Sequence, residues 1–192
     1  MCMNGAWILA IFVAVLTATF LLLLHKTRLG DLLHKHITDR PRRRLFLATV
    51  SFCATSAGVR ALAWSIHEQI GPFHDIHMGG RHIHHLVIGI LLLLIVGYGW
   101  VAEIGTGSES SSLLVGRLMS VLYGAGAALT LDEFALWLNL RDVYWAREGR
   151  ASVEAVLLFG SLLLVGVVGA PFWKGLLHEL RTAKRASARK TK

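Results

Sequence analysis

The chain has 192 residues, enough for one compact domain. Over half of them are apolar, 54%, against 17% charged, and the formal net charge of +8 sits in segments that flank long apolar runs and offer no aromatic stacking platform for bases. That pattern excludes nucleic-acid binding and points instead to cytoplasmic loops rich in Lys and Arg. The two cysteines, Cys2 at the N-terminus and Cys53 inside an apolar run, exclude a disulfide framework and a Cys-x-x-Cys metal site.

The first apolar run, 7–24, is about as long as a bilayer's hydrocarbon core requires. Met1 to Ala6 carry no positive charge, and the run ends in L-L-L-L-H-K without a small-residue cleavage site, so it reads as an uncleaved transmembrane helix. His25 to Arg44 is polar and basic, and Pro41 ends any helix begun at Leu29. Leu29, Leu32, Leu33, His36 and Ile37 recur at helical spacing, which predicts a short amphipathic helix on the membrane surface.

The second span is 45–66 and carries Arg60, an intramembrane charge that needs a partner. A loop rich in histidine comes next. The third span is 86–101, the fourth 113–140 with Gly116, Gly124 and Gly126 for close helix approach, and the fifth 153–173, before a loose basic tail at 181–192. The expected fold is therefore all-α, a polytopic membrane bundle of about five transmembrane helices.

Orientation comes from counting Lys and Arg. With the N-terminus outside, 15 fall on the inner side and 4 on the outer, Arg60 lying within a span. This positive-inside excess places the C-terminus in the cytoplasm. The histidine-rich loop then lies outside, and Arg60 and Asp132–Glu133 fall at matching depth in the outer half of the membrane, each about 10 Å below a helix end at 1.5 Å per residue.

Two constellations carry candidate chemistry. His67 to His85 holds six of the ten histidines. Clustered imidazoles are common metal ligands, so His74, His77, His82, His84 and His85 are the candidate metal ligands, with His84 and His85 best held because they abut the third span. The bland reading is a hydrated loop whose histidines cap helices. The second is Asp132–Glu133, two carboxylates inside a span, which are costly unless paired, ligated or wet. They are the candidate catalytic residues, as metal ligand or acid–base group. A buried ion pair with Arg60 explains them equally well, and the readings are compatible, since an arginine can neutralise one carboxylate while the other binds metal. On one continuous helix the two would point about 100° apart. Arg141 to Arg150 reads as an interfacial anchor, with Asp142 and Tyr144 on the same side as the histidines.

The segments His82-Ile-His-His-Leu, Gly89-Ile90, Leu131-Asp-Glu-Phe-Ala-Leu-Trp-Leu, Tyr144-Trp145 and Arg150-Ala-Ser-Val-Glu-Ala resemble a family of small, uncharacterised bacterial integral membrane proteins. These carry an H-I-H-H-L-x-x-G-I segment and a later D-E-F-x-x-W-L…Y-W…S-x-D/E-A segment. The match runs from the second half of the histidine loop to the start of the fifth span, with Glu154 standing, as a small departure, where an aspartate would fit the pattern. The resemblance implies a membrane location and singles out the same two polar segments.

The expected function is thus a membrane protein with a His/carboxylate site for a divalent metal ion, zinc or iron, in the outer half of the membrane, as in a metal-dependent enzyme acting on lipid. H-E-x-x-H and G-x-S-x-G are absent, so the familiar zinc-peptidase and serine-hydrolase motifs give no support. The alternative is a non-enzymatic accessory, metal-handling or structural protein with Arg60 paired to Asp132 and Glu133. Membrane lipids are the expected partners, together with a second copy of the chain for any transport role.

Overall fold

The computed structural model describes residues 39–70, 77–78, 81–82, 84–107, 110–141 and 143–167, together with Ile37 and eight residues between 11 and 26. Those eight carry helical backbone. The rest of the first run, most of the amphipathic stretch and the basic tail lie outside the described residues.

Helix α1 spans Arg40–His67. Pro41 sits in its first turn, where the missing N–H costs nothing and the fixed φ suits a helix, so the proline starts α1 within the arginine run instead of merely ending the segment before it. α1 closes through Gln69 at φ 55, with Ile70 N–H donating to the Ser65 carbonyl at 2.8 Å, the six-to-one bond of a left-handed helix stop. Beyond it lies a hairpin, β1 (His77–Met78) antiparallel to β2 (Arg81–His82), pairing His77 with His82 and Met78 with Arg81.

Helix α2 (His85–Val101) is almost wholly apolar and runs about 26 Å at 1.5 Å per residue. It too ends on a left-handed residue, Glu103 at φ 57, with Ile104 N–H bonded to Gly99 O at 2.8 Å. Helix α3 (Ser110–Asp132) stops where the sequence predicts continuation. The run read as one segment over 113–140 is divided: a turn at Glu133 separates α3 from the short α4 (Phe134–Asn139). Helix α5 covers Arg147–Val167 and opens with a 3-10 turn, Arg147–Gly149. Among the described residues α1, Ser112–Asp132 of α3, and α5 are long and apolar enough to cross a membrane, and α2 is a shorter apolar helix.

α3 lies between α1 and α2, and glycines let it. A side chain on Gly124 would run into Ala48 O and Phe52 N of α1. One on Gly89 would meet Thr130 Oγ1 at 2.5 Å and Gly126 O at 2.8 Å. Backbones this close bring dispersion contacts that larger residues would prevent. Ser51 adds a hydroxyl bond to Val121 O at 2.7 Å across the α1–α3 seam. Val59, Ala125 and Leu129 form one buried cluster, with Ile88 and Leu92 of α2 against it. Phe52, Ala127, Ala128 and Leu163 form another, through which α5 joins. Phe159 meets Phe52 with ring centroids 5.4 Å apart. The outward faces stay apolar: Leu94, Ile95 and Tyr98 on α2 and Leu157, Leu158 and Leu162 on α5 are all exposed.

Candidate functional site

The break at Glu133 shapes the site. On one helix Asp132 and Glu133 would diverge. Here Glu133 leaves helical geometry, at φ −108 and ψ 25, and both carboxylates reach the start of α2. The interruption is supported from α5: Ala135 N–H, one of the N–H groups that the new helix leaves without a partner, donates to Ser152 Oγ at 2.9 Å. Leu86 N–H, at the start of α2, donates to Glu133 Oε2 at 2.9 Å. A carboxylate at a helix N-terminus is favoured by the amide and by the macrodipole.

Asp132 is fully buried and takes donors on both oxygens. Arg60 Nε donates to Oδ1 at 2.5 Å. Tyr144 O–H donates to Oδ2 at 2.8 Å, and His85 Nε2 lies 3.2 Å from that oxygen. Glu133 Oε1 lies 2.8 Å from His84 Nδ1 and 3.4 Å from His85 Nδ1. All four carboxylate oxygens therefore have partners, drawn from α1, α2 and the segment between α4 and α5. His85 meets both carboxylates, one from each ring nitrogen. A neutral imidazole donates from one of these only; an imidazolium donates from both.

The surroundings sort the two acids. Asp132 faces a permanent cation, and the Arg60 guanidinium carbon also sits 5.1 Å from the centroid of the Tyr144 ring, a cation–π contact. Arg60 Nη2 is buried without a hydrogen-bond partner among the described residues. Burial first, then the Asp132 charge, pushes the Tyr144 hydroxyl well above the usual phenol range, so it stays protonated and keeps donating. Glu133 instead faces two histidines, and His84 is the more exposed of the pair, at 21% against 15%. His84 also lines an open cleft of about 630 Å³ with Leu136, Trp137, Leu140 and Arg141.

The expected residues divide accordingly. His84, His85, Asp132 and Glu133 come together, with Arg60 on Asp132 as its depth suggested. His77 and His82 are described through their backbone, at paired hairpin positions, His82 standing two residues before His84. His74 and Asp142 lie outside the described residues. His67 is elsewhere, stacked on Trp145 at 4.1 Å. Among the described residues no group of three or more His, Cys, Asp or Glu is arranged to hold a metal ion. Ser152 and the Leu86 amide escaped the sequence reading. Ser152 stood in the S-x-E-A segment as its only hint, and the amide has no side-chain signal at all. Comparison with protein-family models, curated proteins and solved structures finds no match.

Proposed function

We propose that the protein is a polytopic membrane protein of the bacterial inner membrane, five-spanning with its N-terminus outside, that takes an anionic amphiphile from the outer leaflet into the His84 cleft. One observation carries this reading: His84 belongs at once to the Glu133 network and to the lining of the cleft. Leu136, Trp137 and Leu140 offer a chain-binding wall, while His84 and Arg141 offer polar contacts for a headgroup, the mixture of apolar surface and few polar groups that marks ligand sites. The exposed apolar faces of α2 and α5 support the membrane setting, and the charge count supports the orientation. In this account Arg60, Asp132 and Tyr144 are positioning residues, and the Glu133–His84 pair is the group able to move a proton to or from the bound headgroup.

A second reading keeps a divalent cation for His84, His85, Glu133 and Asp132, which meet through hydrogen-bonding contacts at the start of α2; to hold it, these side chains would have to leave their present arrangement, which is not one that holds a metal ion. Zinc or iron there would replace the protons now shared between ring and carboxylate. Saturable binding of radiolabelled palmitate to the purified protein tests the first reading. It is expected in the wild type, weakened in His84→Gln and lost in Leu136→Trp, which fills the cleft; unchanged binding in Leu136→Trp would end the proposal. Metal analysis of the untagged protein, beside a His84→Ala/His85→Ala variant, decides the second.

A further inference from the structure

The opposite end of the bundle holds a second charged constellation. Arg40, Arg43 and Arg44 of α1 and Arg117 of α3 line one cleft, with Leu47 and Leu113 as its apolar walls. Arg117 stands fifteen residues before Asp132, about 22 Å along α3, so this cleft is remote from the histidine network. Arg40 is tied to the carbonyls of Thr106 and Gly107, and Arg44 to that of Gly105 at 2.5 Å. Carbonyls satisfy donors but do not cancel charge. Arg43 is only 7% exposed, and Arg117 and Arg40 act on it as like charges, against Asp39 as its acidic neighbour. The first turn of α1 contains no acidic residue. Four guanidiniums thus line one cleft, and among the described residues Asp39 is the carboxylate that acts on Arg43.

We propose that this cleft binds a phosphate group, supplied by an anionic phospholipid headgroup or by free phosphate. Planar guanidinium forks match phosphate oxygens in pairs, and several of them meet a multiply acceptor anion better than any single carboxylate does. The free space within this half-open cleft is about 20 Å³, room for one water-sized group. One phosphate oxygen enters while the remainder of the headgroup stays at the rim, beside the basic inner segments where anionic lipid gathers. The lipid source rests on the membrane-spanning orientation proposed above; the free-phosphate source does not.

Thermal unfolding of the full chain in an uncharged detergent tests this, with dioleoylphosphatidylglycerol, dioleoylphosphatidylcholine or inorganic phosphate added. The glycerol lipid or phosphate is expected to raise the apparent Tm by about 5–10 °C at a hundredfold excess over Kd. The shift should vanish in Arg43→Gln and Arg117→Gln and persist in Arg147→Gln, on the far side of the bundle. A shift with the glycerol lipid alone assigns the lipid, and an equal shift with phosphate assigns the free ion. No shift with either, an equal shift with the choline lipid, or an undiminished shift in Arg117→Gln overturns the proposal. Arg117→Gln carries the test if Arg43→Gln fails to fold, because Arg117 is only partly buried.

Discussion

Arg60 and Asp132, 72 residues apart in sequence, meet at 2.5 Å between α1 and the last residue of α3. The aspartate is wholly buried while the arginine side chain keeps 36% of its exposure, so the pair joins a dry acid to a half-wet base at the mouth of the bundle. Removing one partner leaves the other charge without compensation, which costs more than the pair is worth intact. Asp132→Asn and Arg60→Met are each expected to destabilise by about 2–3 kcal/mol, below the roughly 3–5 kcal/mol of a fully buried pair because Arg60 is partly solvated. The double variant should cost less than the sum of the two. Denaturant titration in mixed micelles over the four-member cycle measures the coupling; strict additivity would contradict a direct pair.

Ser152→Ala removes the hydroxyl that receives Ala135 N–H. The amide is buried at a helix start, and losing its acceptor is expected to cost about 1–2 kcal/mol. Ser152→Thr should restore most of it. Hydrogen exchange at Ala135 gives the local reading: faster exchange in the alanine variant than in the threonine variant.

Glycines in this bundle are not equivalent. Nothing lies within 4 Å of a side-chain carbon built on Gly97, whereas one on Gly124 meets the α1 backbone. Gly97→Ala is therefore expected to stabilise by up to about 1 kcal/mol through helix propensity, and Gly124→Ala to destabilise because α1 and α3 must separate. Thermal melts of the two variants should shift in opposite directions.

Gln69, Glu103 and Leu140 occupy left-handed backbone at φ 55, 57 and 51. A side chain there costs about 1 kcal/mol that glycine does not incur. Gln69→Gly and Leu140→Gly are expected to raise stability by up to that amount. A loss of stability at Leu140 would show that its exposed side chain makes a contact outweighing the backbone strain.

Much of the site could be read in the sequence, because depth along a helix is arithmetic. A rise of 1.5 Å per residue put Arg60 level with Asp132, and the positions of His84 and His85 at the start of the third apolar run brought them to the same end. The break at Glu133 could not be read. No Gly or Pro marks Leu131-Asp-Glu-Phe134, and local propensity favours continuation; the interruption is held from a distance, by Ser152 on Ala135 N–H and Leu86 N–H on the Glu133 carboxylate. That one turn lets two adjacent acids share a site that a straight helix would deny them. Pro41 shows the reverse difficulty. From the sequence it reads as the end of the preceding segment, whereas its role in the first turn of α1 depends on the apolar run that begins at Leu45. The three left-handed helix ends were hidden for a related reason: Gln, Glu and Leu are not the residues that advertise such a stop.

The central claim, that His84 couples the Glu133 network to the cleft, is tested most directly by side-chain nitrogen NMR of histidine during a palmitate titration, with His84 assigned through His84→Gln. The account predicts that the His84 ring resonances move saturably, that His85 moves by a smaller amount through Glu133, and that His67, stacked on Trp145, stays still. Saturable binding that leaves His84 unmoved, or that moves His67 instead, would contradict it.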